Sequence, residues 1–300
     1  MKPKFFPGTK CIGIELVGGL GNQLFQLAAL EFIAKKEQSC PVVDLSRISS
    51  GPFPRHFEVS PDLCKILFHE TPIIVSNLNL FNILFKKTIW RIESAFPRLR
   101  LPFRFRSNRV GFDPMLFREF KNIVLIGYFQ TYYFATLLNW PEKFRGLQIQ
   151  NSHYSSLLEM MLQLDPTVVH IRGGDFLTDE TGIGNLSIQY YKECINKSQS
   201  AEDLFWIFSD DVLYATSIAE ACNINYSIVD TNRNLSPLET LMLMSNSNKM
   251  LISNSTFAWW AAFISNSSNV YAPSKWFKGL EDPRLLYPPN WNQVESIWNN

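Results

Sequence analysis

The second half of the chain alternates short apolar runs with helical patterns, and this alternation constrains the fold more than any other feature. Runs that predict buried strands begin at Thr167, Leu204, Tyr226, Met250 and Asn269, and a helical pattern follows each of the first four. Strands that alternate with helices form parallel sheets covered by helices. In such sheets ligands bind outside the carboxyl ends of the strands, so we expect the functional residues there.

Three of these strands end in polar side chains that suit a nucleotide. Arginine donates two parallel hydrogen bonds to phosphate oxygens, and a carboxylate accepts hydrogen bonds from a ribose hydroxyl or from the N–H edge of guanine. Hydroxyls and free N–H groups at the start of a helix bind anions. Each group also has a structural alternative, as a local ion pair or a helix cap. The groups are His170, Arg172 and Asp175 after the first strand, Asp210 and Asp211 after the second, and Asn254, Ser255 and Thr256 after the fourth.

The N-terminal half opens with a second unit of this kind. The pattern predicts a strand over 12–17, a glycine loop over 18–23 and a buried helix over 24–36. A dinucleotide-binding loop is one interpretation, with Asp44 as the ribose acid. Leu24 opposes it, because it stands where the third glycine of that motif allows helix and strand to pack closely. We favour a turn that presents Asn22 and backbone N–H groups to a polar ligand.

A further strand is predicted over 123–126, and it ends in Gly127, Tyr128, Phe129 and Gln130. Aromatic faces stack on the C–H surfaces of sugars, and amides bond to hydroxyls. These residues therefore fit a sugar site. The alternative is that the aromatic rings belong to the core.

The segment from 86 to 109 is basic, with apolar and aromatic residues between the charges. It suits a peripheral contact with anionic lipids of the inner membrane or with a charged glycan, and the alternative is a solvated helical excursion. The formal net charge of +1 gives no reason to expect nucleic-acid binding.

Several sequence features point to a cytoplasmic protein without a metal. The five cysteines form no CxxC pair, which favours a reducing compartment over disulfides or zinc. The first ten residues lack the apolar core of a signal peptide, and the uncharged stretch 71–85 is too short to span a bilayer. A P-loop motif and a metal-ligand spacing are also absent from the sequence. A length of 300 residues favours two domains, 1–150 and 151–300.

Five motifs together resemble glycosyltransferase family 11, the α-1,2-fucosyltransferases, in the order in which that family carries them. They are Gly18-Gly19-Leu20-Gly21-Asn22-Gln23, Gly127-Tyr128-Phe129-Gln130, His170-Ile171-Arg172-Gly173-Gly174-Asp175, Phe208-Ser209-Asp210-Asp211 and Ser253-Asn254-Ser255-Thr256-Phe257-Ala258-Trp259-Trp260. The resemblance spans residues 18–260. It implies an α/β, GT-B-like fold of two Rossmann-like domains facing across a cleft, with the acceptor-side domain at the N-terminus and the GDP-sugar domain at the C-terminus.

The activity that the resemblance implies is the inverting transfer of L-fucose from GDP-β-L-fucose to the 2-hydroxyl of a terminal galactose, without a metal or another cofactor. A bacterial polysaccharide or lipid-linked oligosaccharide is the implied acceptor. Arg172 would meet the β-phosphate beside His170, and Asp210 or Asp211 would meet the guanine or ribose. Asn22 would reach the fucose from the loop that contains Gly19 and Gly21. The remaining donor contacts would come from Asn254, Ser255, Thr256 and Phe257.

The sequence leaves the general base and the exact reaction open. Asp175, His170 and Glu31 are candidates for the base, and a reaction without a dedicated base is an alternative. The family reads His-x-Arg-Arg-x-Asp, and here the second arginine is Gly173, which leaves Arg172 as the only guanidinium in the motif. The alternative functions are transfer of another GDP-sugar, another fucosyl linkage, a non-catalytic nucleotide- or glycan-binding protein, and an oxidoreductase that uses the first glycine loop.

Overall fold

A computed structural model of the chain describes residues 10–48, 56–59, 61–68, 72–75, 104–173, 182–199 and 203–299. The chain forms two compact units. Unit 1 contains Met1–Trp140 and Arg284–Leu286, and unit 2 contains Pro141–Pro283 and Tyr287–Asn300. The return of the chain to unit 1 is fixed by hydrogen bonds, since the Thr131 hydroxyl donates to the Leu285 carbonyl oxygen at 2.7 Å. The functions predicted for the two halves remain predictions.

Unit 1 contains a five-stranded parallel sheet in the order β3-β2-β1-β5-β4. Its strands are β1 (Cys11–Glu15), β2 (Cys40–Asp44), β3 (Ile73–Val75), β4 (Arg104–Arg106) and β5 (Ile123–Ile126). Its helices are α1 (Leu20–Lys36), α2 (Pro61–Leu67) and α3 (Tyr132–Leu137), with a 3₁₀ helix at Pro114–Phe117. The helix α1 is buried on nearly every side, which its apolar sequence permits.

Unit 2 contains a six-stranded parallel sheet in the order β11-β10-β9-β6-β7-β8. Its strands are β6 (Thr167–Ile171), β7 (Leu204–Ser209), β8 (Asn225–Ile228), β9 (Met250–Leu251), β10 (Val270–Pro273) and β11 (Asn292–Val294). Its helices are α4 (Trp140–Arg145), α5 (Ser152–Leu164), α6 (Ile188–Ser198), α7 (Val212–Cys222), α8 (Pro237–Met244) and α9 (Thr256–Ser265). The α/β prediction is confirmed, and the sheet is parallel as the alternation required.

The predicted elements differ from the observed ones mainly at their ends. The helix predicted over 24–36 begins at Leu20, so the predicted glycine loop ends at Gly19. Helix α8 begins with a capping box, in which the Ser236 hydroxyl accepts from the Glu239 N–H and the Glu239 carboxylate accepts from the Ser236 N–H. Ser187 occupies the cap position of α6, but its side chain makes no capping hydrogen bond.

The basic segment 86–109 lies mostly outside the described residues, which resume at Arg104. Its predicted contact with a membrane therefore stays a prediction. Among the helices that the structure describes, none combines the length and the apolar character needed to cross a bilayer. All five cysteines lie in described parts of the chain, and all are free thiols.

Candidate functional site

The sheet of unit 2 changes direction between β6 and β9. From β6 the chain proceeds to β7 and β8 on one side, whereas β9 leads to β10 and β11 on the other. This switch point is where doubly wound sheets bind ligands, because the loops diverge there and leave a crevice. His170 near the end of β6 and Ser253 after β9 meet at this point, with 2.8 Å between the imidazole Nδ1 and the hydroxyl Oγ.

The imidazole of His170 is a neutral group. Complete burial and the nearby positive charge of Arg172 lower the pKa of His170 to about 3. His170 therefore adds no positive charge for a phosphate, and it is too weak a base to hold a proton near pH 7. Its ring lies 6.0 Å from the ring of Phe257, centroid to centroid, which brings the start of α9 to the same place.

Arg172 and Asp210 form an ion pair beside this point. The register of β6 and β7 sets Ile171 opposite Ser209, so the next residues along each strand are neighbours. The Arg172 guanidinium contacts one oxygen of the Asp210 carboxylate, and the Gly173 N–H donates to the other at 2.9 Å. Both side chains keep partial exposure, 21% and 31%. A phosphate oxygen would meet a guanidinium that Asp210 already orients.

The two aspartates after β7 have different tasks. The Asp211 carboxylate caps α7, accepting from the Tyr214 N–H at 3.0 Å. Its Cβ also approaches Gly173 closely, since a Cβ added to Gly173 would lie 2.6 Å from it. The position of the family's second arginine therefore has no room for any side chain in this geometry. Of the two predicted nucleotide contacts, Asp210 is the one whose carboxylate faces Arg172.

Arg233 brings a second guanidinium to this group, which the sequence pattern did not predict. Its Nη2 donates to the Asp210 carbonyl oxygen at 3.3 Å, and the side chain is exposed. The loop after β8 is held by Asp230, whose carboxylate accepts from the N–H groups of Asn234 and Leu235. The available signal was the place of Arg233 after a strand that neighbours β7, because parallel strands deliver their following loops to one edge.

The loop from β9 to α9 contains the third predicted group. Asn254 is buried and structural: its Nδ2 donates to the Gly184 carbonyl oxygen at 2.9 Å and to that of Trp276 at 3.3 Å. Its Oδ1 is buried with no hydrogen-bond partner among the described residues. Ser255 stands at the cap position of α9 without a capping bond from its side chain. The helix start therefore offers its N–H groups and its partial positive charge to an anion, at partly exposed Thr256 and Phe257.

The glycine loop of unit 1 differs from a phosphate cradle. The Leu20 N–H at the start of α1 donates to the Glu58 carboxylate at 3.1 Å, so the chain itself supplies the anion there. Gly21 and Asn22 lie inside the first turn of the helix rather than in a loop. Gly18 adopts a φ of +82°, and a Cβ there would lie 2.6 Å from the Asn22 amide nitrogen. This arrangement removes the basis of the dinucleotide interpretation.

Two of the predicted motifs meet in unit 1. The Gln130 amide Nε2 donates to the Asn22 Oδ1 at 2.9 Å, joining the first turn of α1 to the loop after β5. The Gln26 amide, one turn along α1, donates to the Gly127 carbonyl oxygen at 3.0 Å. The Gln130 amide therefore fixes the position of the Asn22 side chain. Gly19 is the N-cap residue of α1, and Gly21 lies in its first turn.

The candidates for a general base fare differently. Glu31 is buried, accepting from the Trp140 indole N–H at 2.7 Å and pairing with Lys35 at 2.8 Å, so it has a structural role. His170 is buried and neutral. Asp175 lies outside the described residues. The described part of the chain contains no cluster of three or more His, Cys, Asp or Glu residues that could hold a metal ion.

The chain is similar in sequence to two proteins of Escherichia coli. It is 28% identical over 302 residues to the O-antigen biosynthesis glycosyltransferase WbnK, covering 90% of this chain and 96% of that protein. It is 26% identical over 297 residues to an alpha-1,2-colitosyltransferase, covering 94% of this chain and 98% of that protein.

Among solved structures, a mutant of Arabidopsis thaliana FUT1 in complex with GDP matches with a TM-score of 0.51 and 14% identity, covering 90% of this chain and 72% of that chain. This likeness concerns the fold alone, and it confirms the predicted α/β, GT-B-like class. The family description "Glycosyl transferase family 11" matches residues 119–295, which hold every described group of the unit 2 site. Because this match covers more than half of the chain, the protein belongs to glycosyl transferase family 11.

Proposed function

We propose that this glycosyltransferase moves L-fucose from GDP-β-L-fucose to the 2-hydroxyl of a terminal galactose, with inversion at the sugar carbon. The observation that carries the proposal is the cluster at the switch point of unit 2, where the Arg172–Asp210 pair follows His170, whose ring lies next to Ser253 and Phe257 at the start of α9. The family and the two relatives, one named for O-antigen biosynthesis, support a bacterial glycan as the acceptor, and its terminal galactose is part of the proposal. The FUT1 structure in complex with GDP supports a guanosine nucleotide as the leaving group.

The proposed mechanism stabilises the leaving diphosphate. Fucosyl transfer passes through a state in which negative charge grows on the β-phosphate, and preorganised donors facing that charge lower the barrier most. Arg172, Arg233 and the N–H groups at the start of α9 would provide this positive potential without a metal. Asp210 would orient Arg172 and accept from the guanine or ribose. Asn22, fixed by Gln130, would contact the sugar.

The test is a transfer assay with purified protein, GDP-fucose and lactose, in which GDP release and product linkage are both measured. We expect an α-1,2-linked fucosyl product, and we expect EDTA to leave the rate unchanged. GDP binding without turnover on a panel of galactosides would instead favour a binding protein, and binding of NAD would favour an oxidoreductase. A product of another linkage would overturn the regiochemistry while keeping the family.

A second donor is supported by one specific observation, the similarity to an alpha-1,2-colitosyltransferase over almost the whole of both chains. Colitose is L-fucose without its 3-hydroxyl, so the two donors differ by one hydrogen-bonding group. A site built to bond that hydroxyl rejects the deoxy donor strongly, whereas an apolar site discriminates weakly. The ratio of kcat/KM for GDP-fucose and GDP-colitose measured with one acceptor decides between them.

We also propose a cytoplasmic setting, in which the five free thiols persist, with the basic segment 86–109 making a peripheral contact with the inner membrane. Electrostatic attraction of this kind weakens with salt. Co-sedimentation with liposomes that contain phosphatidylglycerol should show binding at low salt and release at high salt. Failure to bind at low salt would refute the membrane contact and leave the enzymatic proposal intact.

A further inference from the structure

The segment Gly127–Gln130 follows β5, which pairs with β1 in the middle of the unit 1 sheet. The chain leaves β1 toward β2 and β3 on one side, whereas β5 and β4 lie on the other. The loops after β1 and β5 therefore flank the switch point of this sheet, the position at which α/β sheets bind ligands. The proposed mechanism uses the start of α1, which follows the β1 loop, through Asn22, and leaves Tyr128 without a role.

The backbone of this segment is strained. Phe129 adopts a φ of +53°, in the left-handed region that a bulky aromatic residue rarely enters. Such conformations are unfavourable and persist only where the surroundings impose them. Here the Phe129 ring is fully buried, and hydrogen bonds hold both ends of the segment Gly127–Gln130. The Gln26 amide donates to the Gly127 carbonyl oxygen at 3.0 Å, and the Gln130 N–H donates to the Val110 carbonyl oxygen at 2.7 Å.

This conformation presents Tyr128 to solvent. Its side chain is 43% exposed, and no described residue forms a ring contact or a side-chain hydrogen bond with it. Phe117, in the same unit, is equally exposed, but its ring packs against Phe32 at 5.6 Å and against Tyr133 at 6.0 Å. An exposed aromatic ring is ordinary on its own. A ring with no ring contact or side-chain hydrogen bond to a described residue, displayed by a strained backbone, is available to a ligand.

The group next to Tyr128 identifies the chemistry of that ligand. Gln130, two residues on, is buried and donates to the Asn22 amide oxygen at 2.9 Å, so it fixes the partly exposed Asn22 amide next to the segment that displays the ring. Aromatic faces attract the polarised C–H surface of a pyranose, and amides exchange hydrogen bonds with its hydroxyls. We propose that Tyr128 is the stacking platform for the terminal galactose of the acceptor. This assignment rests on the proposed function, which supplies a galactoside as substrate.

The test compares Tyr128→Ala, Tyr128→Phe and the matched control Phe117→Ala, which removes an equally exposed ring from the same unit. We expect Tyr128→Ala to raise the KM for lactose about tenfold while the KM for GDP-fucose and the affinity for GDP stay within twofold. Tyr128→Phe keeps the ring and should stay within twofold in both constants. Phe117→Ala should lower the melting temperature without changing either KM. A lactose KM within twofold of wild type in Tyr128→Ala, or an equal loss of GDP affinity, would overturn the proposal.

A second measurement keeps this inference separate from the choice of donor. If the wild-type protein fails to transfer fucose, saturation-transfer NMR with methyl β-D-galactoside and GDP reports acceptor binding directly. We expect saturation of the galactose C–H protons in wild type and in Tyr128→Phe, and its loss in Tyr128→Ala. Equal saturation in wild type and Tyr128→Ala, or no binding to wild type at millimolar galactoside, would refute the platform.

Discussion

The Nδ1 of His170 and the Oγ of Ser253 lie 2.8 Å apart and join the ends of the two strands between which the sheet of unit 2 changes direction. Both side chains are buried. The pair links the end of β6, which delivers Arg172, to the loop that leads into α9. Its contribution is therefore to hold these two segments in register rather than to carry charge.

The first prediction concerns the stability of the protein in acid. Burial and the charge of Arg172 lower the pKa of His170 in the folded protein to about 3. Below pH 6.5 this histidine is therefore protonated in the unfolded chain but stays neutral in the folded chain. This group therefore stabilises the fold fully above pH 6.5 and loses its contribution as the pH falls toward 3. Between pH 7.5 and pH 5 it should remove about 2 kcal/mol from the free energy of unfolding.

Urea unfolding of wild type and His170→Asn at several pH values measures this term. Subtracting the two profiles cancels the carboxylates that both proteins share, and the remaining slope belongs to the histidine. Parallel profiles between pH 7.5 and pH 5 would show that His170 titrates alike in the folded and unfolded chain.

The second prediction concerns Arg172. Arg172→Ala removes the guanidinium that the proposed mechanism places against the diphosphate, and it leaves Asp210 without its ion pair to Arg172. We expect kcat/KM for GDP-fucose to fall about 10²–10³-fold. The control is Arg145→Ala, which removes an exposed arginine paired with Glu142 on α4 and should leave the rate unchanged. A loss below about threefold in Arg172→Ala would argue against the phosphate clamp.

The third prediction concerns the space at Gly173. In Gly173→Ala the new Cβ would lie 2.6 Å from the Cβ of Asp211, so we expect the free energy of unfolding to fall by about 1–3 kcal/mol. Gly173→Arg should destabilise the protein as well and should not raise activity, although it restores the family's motif. A cost below about 0.5 kcal/mol for Gly173→Ala would mean that the two loops separate easily.

Asp211→Gly provides the matched partner for this experiment. Glycine is tolerated at a helix cap, so the single variant should cost only a few tenths of a kcal/mol. Because it removes the atom that the methyl group of Gly173→Ala would meet, the double variant should be more stable than the sum of the single effects predicts. Additive effects in denaturant unfolding would refute the steric explanation.

The fourth prediction concerns Arg233, the second guanidinium beside Asp210. The side chain is exposed, so its charge acts through water and should matter less than that of Arg172. Arg233→Ala should lower kcat/KM for GDP-fucose about two- to fivefold at low salt. Raising the ionic strength should narrow the difference from wild type. Identical kinetics at low salt would exclude Arg233 from the donor site.

The repeating pattern of the sequence predicted most of the fold of unit 2. In unit 1, strand β5 has the predicted bounds, Ile123–Ile126, because its apolar run ends abruptly at Gly127. The three-residue strands β3, β4 and β11 were not predicted. A strand this short shows no alternation of its own, and it exists because a neighbouring strand supplies its hydrogen bonds.

The sequence by itself determined that strand ends would carry Arg172, Asp210 and the hydroxyls before α9 to one edge of a parallel sheet, since strand direction follows from the alternation. Only the tertiary structure decided what each group does there. The tertiary structure buries His170, which keeps the imidazole neutral. Asp210 forms an ion pair with Arg172, whereas Asp211 caps α7. Arg233, from the loop after β8, lies next to Asp210. Burial, ion pairing and steric space depend on residues distant along the chain, and a local pattern contains none of that information.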